Sequence, residues 1–157
     1  RISLMGGGIA TGNWTPAAEF NILVDPEAAR IVFTSGVPIT MAGLDVTEKA
    51  LIMPEDFERV RALGNPVSDI VAQWLEFFYR FHRSCAVMAL IHPEIFTIRP
   101  MYVQIETAGE YCRGTTVGDL LGFSGHAPNA DVLMDVDRDR FADLLVEAIK
   151  FYGEAEA

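Results

Sequence analysis

The chain has 157 residues, half of them apolar, and carries a formal net charge of −10. That length and balance suit one soluble globular domain rather than a disordered or fibrous chain. Acidic residues outnumber basic ones 22 to 12, which excludes nucleic-acid binding by phosphate neutralisation and favours a neutral small molecule as ligand.

In chain order, Ile2–Met5 reads as a strand that begins almost at the first residue, a sign that the natural chain starts further upstream. A glycine turn, Gly6-Gly7-Gly8, and a polar loop to Asn21 follow. Asp25 and Pro26 supply a cap and first position for a helix that Gly36 ends. Val37–Met41 has the apolar, β-branched texture of a buried parallel strand. One helix is expected from about Pro54 to Gly64, and another from Asn65-Pro66 to about His82. Cys85–Ile91 reads as a buried helix stopped by Pro93. Strands are expected at Met101–Glu106 and Cys112–Val117, turning at Ala108-Gly109, then at Asp131–Val136. An amphipathic helix over Arg138–Tyr152 completes an α/β pattern with a β-hairpin region near 100–120. No linker or repeat divides residues 1–157, so a single domain is expected. No apolar run is long enough to cross a bilayer and no leader pattern opens the chain, so no membrane partner and a cytoplasmic location are expected.

Several motifs dissolve on inspection. The glycines run G-x-G-x-x-x-G through Gly12, and Asn13-Trp14-Thr15-Pro16 is no phosphate-binding helix start, so a dinucleotide site is disfavoured. Asp135, Asp137 and Asp139 imitate a calcium loop, but Arg140 and Val146 stand where such a loop needs glycine and glutamate. Asp137 is better read as a helix cap. Cys85 and Cys112 lack metal-ligand spacing, and no metal site is expected in this chain. His82, His92 and His126 are scattered at a helix end, a helix stop and a loop.

Gly12–Asn21, GNWTPAAEFN, is richer. Asn13, Glu19 and Asn21 group two amides with a carboxylate, and sugar hydroxyls need both donors and acceptors. The same side chains could instead cap neighbouring turns, and the residue types alone leave both readings open.

Met5–Phe33, MGGGIATGNWTPAAEFNILVDPEAARIVF, resembles the inosine-uridine-preferring nucleoside hydrolases, most of all the pyrimidine-specific bacterial branch. MAGLDVT at Met41–Thr47, RALGNPVSDIVAQWLEFF at Arg61–Phe78 and ETAGEYCRGTTVGDL at Glu106–Leu120 carry the likeness along the chain. The resemblance implies an open sheet flanked by helices, of which this chain is the C-terminal portion. It implies hydrolysis of the N-glycosidic bond of ribonucleosides to ribose and free base, in nucleoside salvage. Asn13, Glu19 and Asn21 match residues that bind ribose hydroxyls, and Met5 and Phe20 match residues lining the sugar pocket. Small-molecule nucleosides are the implied ligands, a homo-oligomer the implied assembly, and Ca2+ the implied cofactor of the full-length enzyme. The family's N-terminal DxDPGxDD metal motif is not in this sequence, so no catalytic residue is assigned to the chain.

A later His-Asp-Pro triplet of the family aligns in two ways. Without a gap, His82 meets the family histidine while Arg83 replaces a metal-binding aspartate. With a gap, a loop ending in that triplet is lost between Arg83 and Ser84, and the continuous helix match favours this alignment. A non-catalytic ribose or nucleoside binder lacking the metal site is the competing function.

Overall fold

A computed structural model describes residues 1–77 and 85–155, so the alternatives at His82, Arg83 and Ser84 lie outside the described residues. These residues form two compact units, one taking 1–49 and 85–136, the other 50–77 and 137–155.

The first unit is an α/β layer structure. Strands β1 (Ile2–Met5), β2 (Ile39–Ala42), β3 (Phe96–Met101) and β6 (Ala130–Val136) form one sheet in the order β1-β2-β6-β3. β1, β2 and β6 run parallel, and β3 is antiparallel to β6. β2 is buried at all four positions, as a central parallel strand requires. Met41 and Val132 are wholly buried at its heart, with Phe33, Ile39 and Met101 packed around them. A separate ribbon pairs β4 (Val103–Ile105) with β5 (Thr116–Gly118). Asn129 ties this ribbon in: its Oδ1 accepts the Val103 N–H at 2.7 Å, and its Nδ2 donates to the Phe33 carbonyl at 2.9 Å.

Helices α1 (Phe20–Val24), α2 (Pro26–Phe33), α3 (Leu44–Thr47) and α6 (Cys85–Ile91) belong to the same unit. Asp25 caps α2 as its spacing predicts, with Oδ1 accepting the Ala28 N–H at 2.9 Å ahead of Pro26.

The second unit holds α4 (Pro54–Arg61), α5 (Pro66–Phe77) and α7 (Arg138–Ala155). Its internal anchor is Asp56, whose buried carboxylate accepts the Met53 N–H at 2.9 Å and pairs with Arg59 and Arg138. Asp137 caps α7 through the Arg140 N–H at 3.0 Å. No helix among the described residues is long and apolar enough to cross a membrane.

Three expectations need correction, and one strand was not expected. Phe96–Met101 is a strand, although Pro100 lies within it. Pro is tolerated because β3 pairs with β6 alone, leaving one side without ladder bonds. The hairpin is shorter than Met101–Glu106 with Cys112–Val117: Cys112 and Arg113 are turn, and pairing begins at Thr116. Strand β2 starts at Ile39, not Val37. Helix α6 is not buried all round; Cys85 and Ala89 are buried while Val87, Leu90 and Ile91 face out.

Candidate functional site

The segment from Met5 to Asn21 sits at the carboxyl end of β1, the end where open parallel sheets place their ligands. Its backbone is held from two sides. Asp45, at the start of α3, accepts the Ile9 N–H on Oδ2 at 2.7 Å and the Ala10 N–H on Oδ1 at 3.0 Å. The Leu44 N–H donates to the Gly7 carbonyl at 2.8 Å. Gly7 adopts φ +76°, and a Cβ there would lie 2.3 Å from Thr116 Oγ1, so β5 presses directly behind the turn.

Further on, the chain knots around Ala18. Its carbonyl accepts the N–H groups of Asn13, Trp14 and Thr15 at 3.2–3.3 Å. Thr15 Oγ1 accepts the Ala18 N–H at 2.9 Å. Gly12 has no room for a side chain, since a Cβ would fall 2.2 Å from the Thr15 carbonyl oxygen.

Glu19 is 2 % exposed and is the N-cap of α1. Its Oε2 accepts three backbone N–H groups, from Gly7 and Asn21 at 2.9 Å and from Ile22 at 3.3 Å. Asn13 Oδ1 accepts the Phe20 N–H at 3.0 Å. Asn21 Nδ2 donates to the Met5 carbonyl at 3.3 Å and to Met5 Sδ at 3.1 Å. The indole of Trp14 packs on the Phe20 ring with centroids 5.0 Å apart.

All five residues expected at the sugar site, Met5, Asn13, Glu19, Phe20 and Asn21, are thus drawn to one strand end. The turn-capping role that the residue types left open is real for both Asn13 and Glu19. It uses only half of each polar side chain. Asn13 Nδ2, Glu19 Oε1 and Asn21 Oδ1 make no hydrogen bond among the described residues. One donor and two acceptors therefore remain, the mixture that vicinal hydroxyls require.

A cavity of about 260 Å³ opens beside Met5 and Asn21, walled by Leu4, Ala29 and Val32. A larger one, about 350 Å³, lies between α2 and β4 against Arg30, Phe33 and Glu106 and contains none of the expected residues. Glu106 is held below the usual carboxylate range by the backbone N–H groups of Ala108 and then Gly109, which orders the hairpin turn. That turn is fastened to α2 by the Arg113–Glu27 ion pair at 2.7 Å.

The sequence marked Gly7 as part of a glycine turn, which its φ of +76° bears out, but assigned no role to Asp45 or Thr116. Asp45 lies within the quoted MAGLDVT stretch, but nothing local shows that its carboxylate reaches back to Ile9 and Ala10. His92 bonds Glu94 at 2.9 Å and His126 stacks on Tyr102, both apart from the Met5–Asn21 cluster.

Comparison with known proteins gives these surroundings a context. The family model for inosine-uridine preferring nucleoside hydrolase matches residues 1–143. The pyrimidine-specific ribonucleoside hydrolase RihA of Escherichia fergusonii is 53% identical over 98% of this chain and 53% of its own length. RihA of Salmonella schwarzengrund matches equally. The solved purine-preferring ribonucleoside hydrolase from Gardnerella vaginalis superposes with a TM-score of 0.86 at 29% identity, covering 98% of this chain and 52% of its own. The chain spans about half the length of the curated relatives it matches.

Proposed function

The chain belongs to the inosine-uridine preferring nucleoside hydrolase family, and from that premise we propose that it supplies the ribose-gripping portion of a ribonucleoside hydrolase. In this reading it is the C-terminal portion of the hydrolase domain. The reaction adds water across the N-glycosidic bond, releasing ribose and the protonated free base.

The supporting observation is the division of labour in Asn13, Glu19 and Asn21. Each uses one polar atom to lock the loop and keeps another for ligand. Asn13 Nδ2 donates to a ribose hydroxyl, while Glu19 Oε1 and Asn21 Oδ1 accept from hydroxyls. Because the loop is already locked, these groups lose little freedom on binding. As the glycosidic bond lengthens, positive charge grows on the sugar ring, and the fixed Glu19 carboxylate favours that charge more than the neutral ground state. Met5 and Phe20 offer apolar surface to the sugar's carbon face.

The family is generally metal-dependent, and the resemblance names calcium. Among the described residues no three His, Cys, Asp or Glu side chains converge to hold an ion. The described residues do not fit a metal, and no step runs through one. Base preference is also left to other residues, since relatives include both pyrimidine-specific and purine-preferring enzymes.

Asn13→Asp tests the reading directly. Aspartate keeps the acceptor for the Phe20 N–H and puts a charged acceptor where the spare donor stood. Stability should hold, while ribose affinity, followed by chemical-shift titration, should fall about tenfold for one lost hydrogen bond. Equal ribose and 2-deoxyribose titrations in the parent chain, or no shifts at Phe20 and Asn21, would sink the proposal.

A further inference from the structure

We propose that Trp14 is a positioning residue of the sugar site: its indole holds the Phe20 ring in one orientation, so that ribose meets a wall already built. The ligand in this inference rests on the ribose reading above, whereas the ring order is a property of the free chain.

Phe20 is the first residue of α1 and is 45% exposed. In that five-residue helix Ile22 is the buried side chain, so the core does not fix the Phe20 ring. A half-exposed phenylalanine samples more than one staggered χ1 well. Ordering it only when ligand arrives would cost affinity. A ring that is to line a site from such a position needs a neighbour to hold it.

Trp14 is placed to be that neighbour. The two ring centroids are 5.0 Å apart and the planes are inclined by 58°, within the range of favourable tilted aromatic pairs. The indole is itself 67% exposed, so it adds little to the core. Its contact is with the one aromatic side chain of the sugar site.

The two backbones are clamped to each other before the rings meet. The Ala18 carbonyl accepts the Trp14 N–H at 3.2 Å, and the Gly12 N–H donates to the Pro16 carbonyl at 3.3 Å. From the residue beside Trp14, Asn13 Oδ1 accepts the Phe20 N–H at 3.0 Å. These bonds fix where the two side chains start and leave only their torsions free. Ring-on-ring contact then restricts both torsions at once. Trp14 thus completes with its side chain what Asn13 begins with its amide oxygen.

The test compares the parent chain with Trp14→Ala and Trp14→Phe by NMR and urea unfolding. Without ligand, the Hα–Hβ couplings of Phe20 should report one χ1 rotamer in the parent and rotamer averaging in Trp14→Ala. D-ribose titration, followed at the Phe20 and Asn21 amides, should be about fivefold weaker in Trp14→Ala. Trp14→Phe restores an aromatic partner and should recover most of that loss. Urea midpoints of the three proteins should agree, because the indole is largely in water. A single Phe20 rotamer in Trp14→Ala overturns the positioning role, as does unchanged affinity in that variant; the ribose reading survives either result. A fall in the urea midpoint that accounts for the lost affinity would make Trp14 a residue of the fold and overturn the role too. A parent chain that gives no ribose shifts removes the ribose reading and this inference together.

Discussion

The Glu19 carboxylate accepts the backbone N–H of Gly7 at 2.9 Å across twelve residues of chain, joining the end of β1 to the start of α1. Through the same oxygen it caps α1, so one side chain closes the loop that carries the proposed sugar contacts. Glu19→Ala strands three N–H groups at once. It is expected to destabilise by about 2–3 kcal/mol, above an ordinary cap loss, in urea unfolding of the parent and variant. Unfolding midpoints within error of one another would show that the carboxylate is dispensable to the loop.

Gly7→Ala attacks the other partner. The substitution forces an L side chain into φ +76° and drives a Cβ to 2.3 Å from Thr116 Oγ1 and 2.8 Å from Met41 Cε. Left-handed backbone and overpacking together are expected to cost about 2–4 kcal/mol. Thermal unfolding reads this directly, and a loss under 1 kcal/mol, about the uncertainty of such comparisons, would mean the turn relaxes freely.

Thr116→Val should act in the opposite sense. The Thr116 hydroxyl is buried without a hydrogen-bond partner among the described residues. Valine keeps the shape and deletes an unsatisfied polar group, so stability should rise by about 1 kcal/mol. A lower melting temperature would reveal a hydrogen bond that the hydroxyl makes in solution.

Asp119 supplies a pH signature. Its carboxylate is held below the usual aspartate range first by the Ser124 hydroxyl and then by the Ser124 backbone N–H. A lowered folded pKa gives stability that is fully present above the ordinary aspartate value of about 3.9 and is lost as pH falls through the lower folded value. Ser124→Ala removes the leading donor and should flatten that acid limb of the melting-temperature profile. Superimposable profiles below pH 4 would show the turn to be uncoupled from folding.

Local chemistry made much of the architecture legible. The Asp25-Pro26 cap, the β1 run, the Cys85–Ile91 helix bounds and the Asp137 cap of α7 all depend on neighbours within a few residues, and each stands where the sequence placed it. The elements that escaped depend on distant partners. β3 is buried only at its two ends and contains Pro100; its strand form comes from pairing with β6, some thirty residues away. α1 is five residues long and stands on the Glu19 cap and the packing of Ile22, not on helical periodicity.

The candidate site divides along the same line. The residue types of Gly12–Asn21, together with the wider resemblance, named Met5, Asn13, Glu19, Phe20 and Asn21 from sequence alone. Which atom of each is spent and which is spare was decided only by tertiary structure. Asn13 and Glu19 could cap or bind on composition grounds, and the fold shows each capping with one atom while another goes unused. Asp45 and Thr116 reach the loop from elements more than thirty residues away in sequence. A hydrogen-bond partner brought in by strand pairing leaves no trace in local sequence, because its position is set by the register of the sheet.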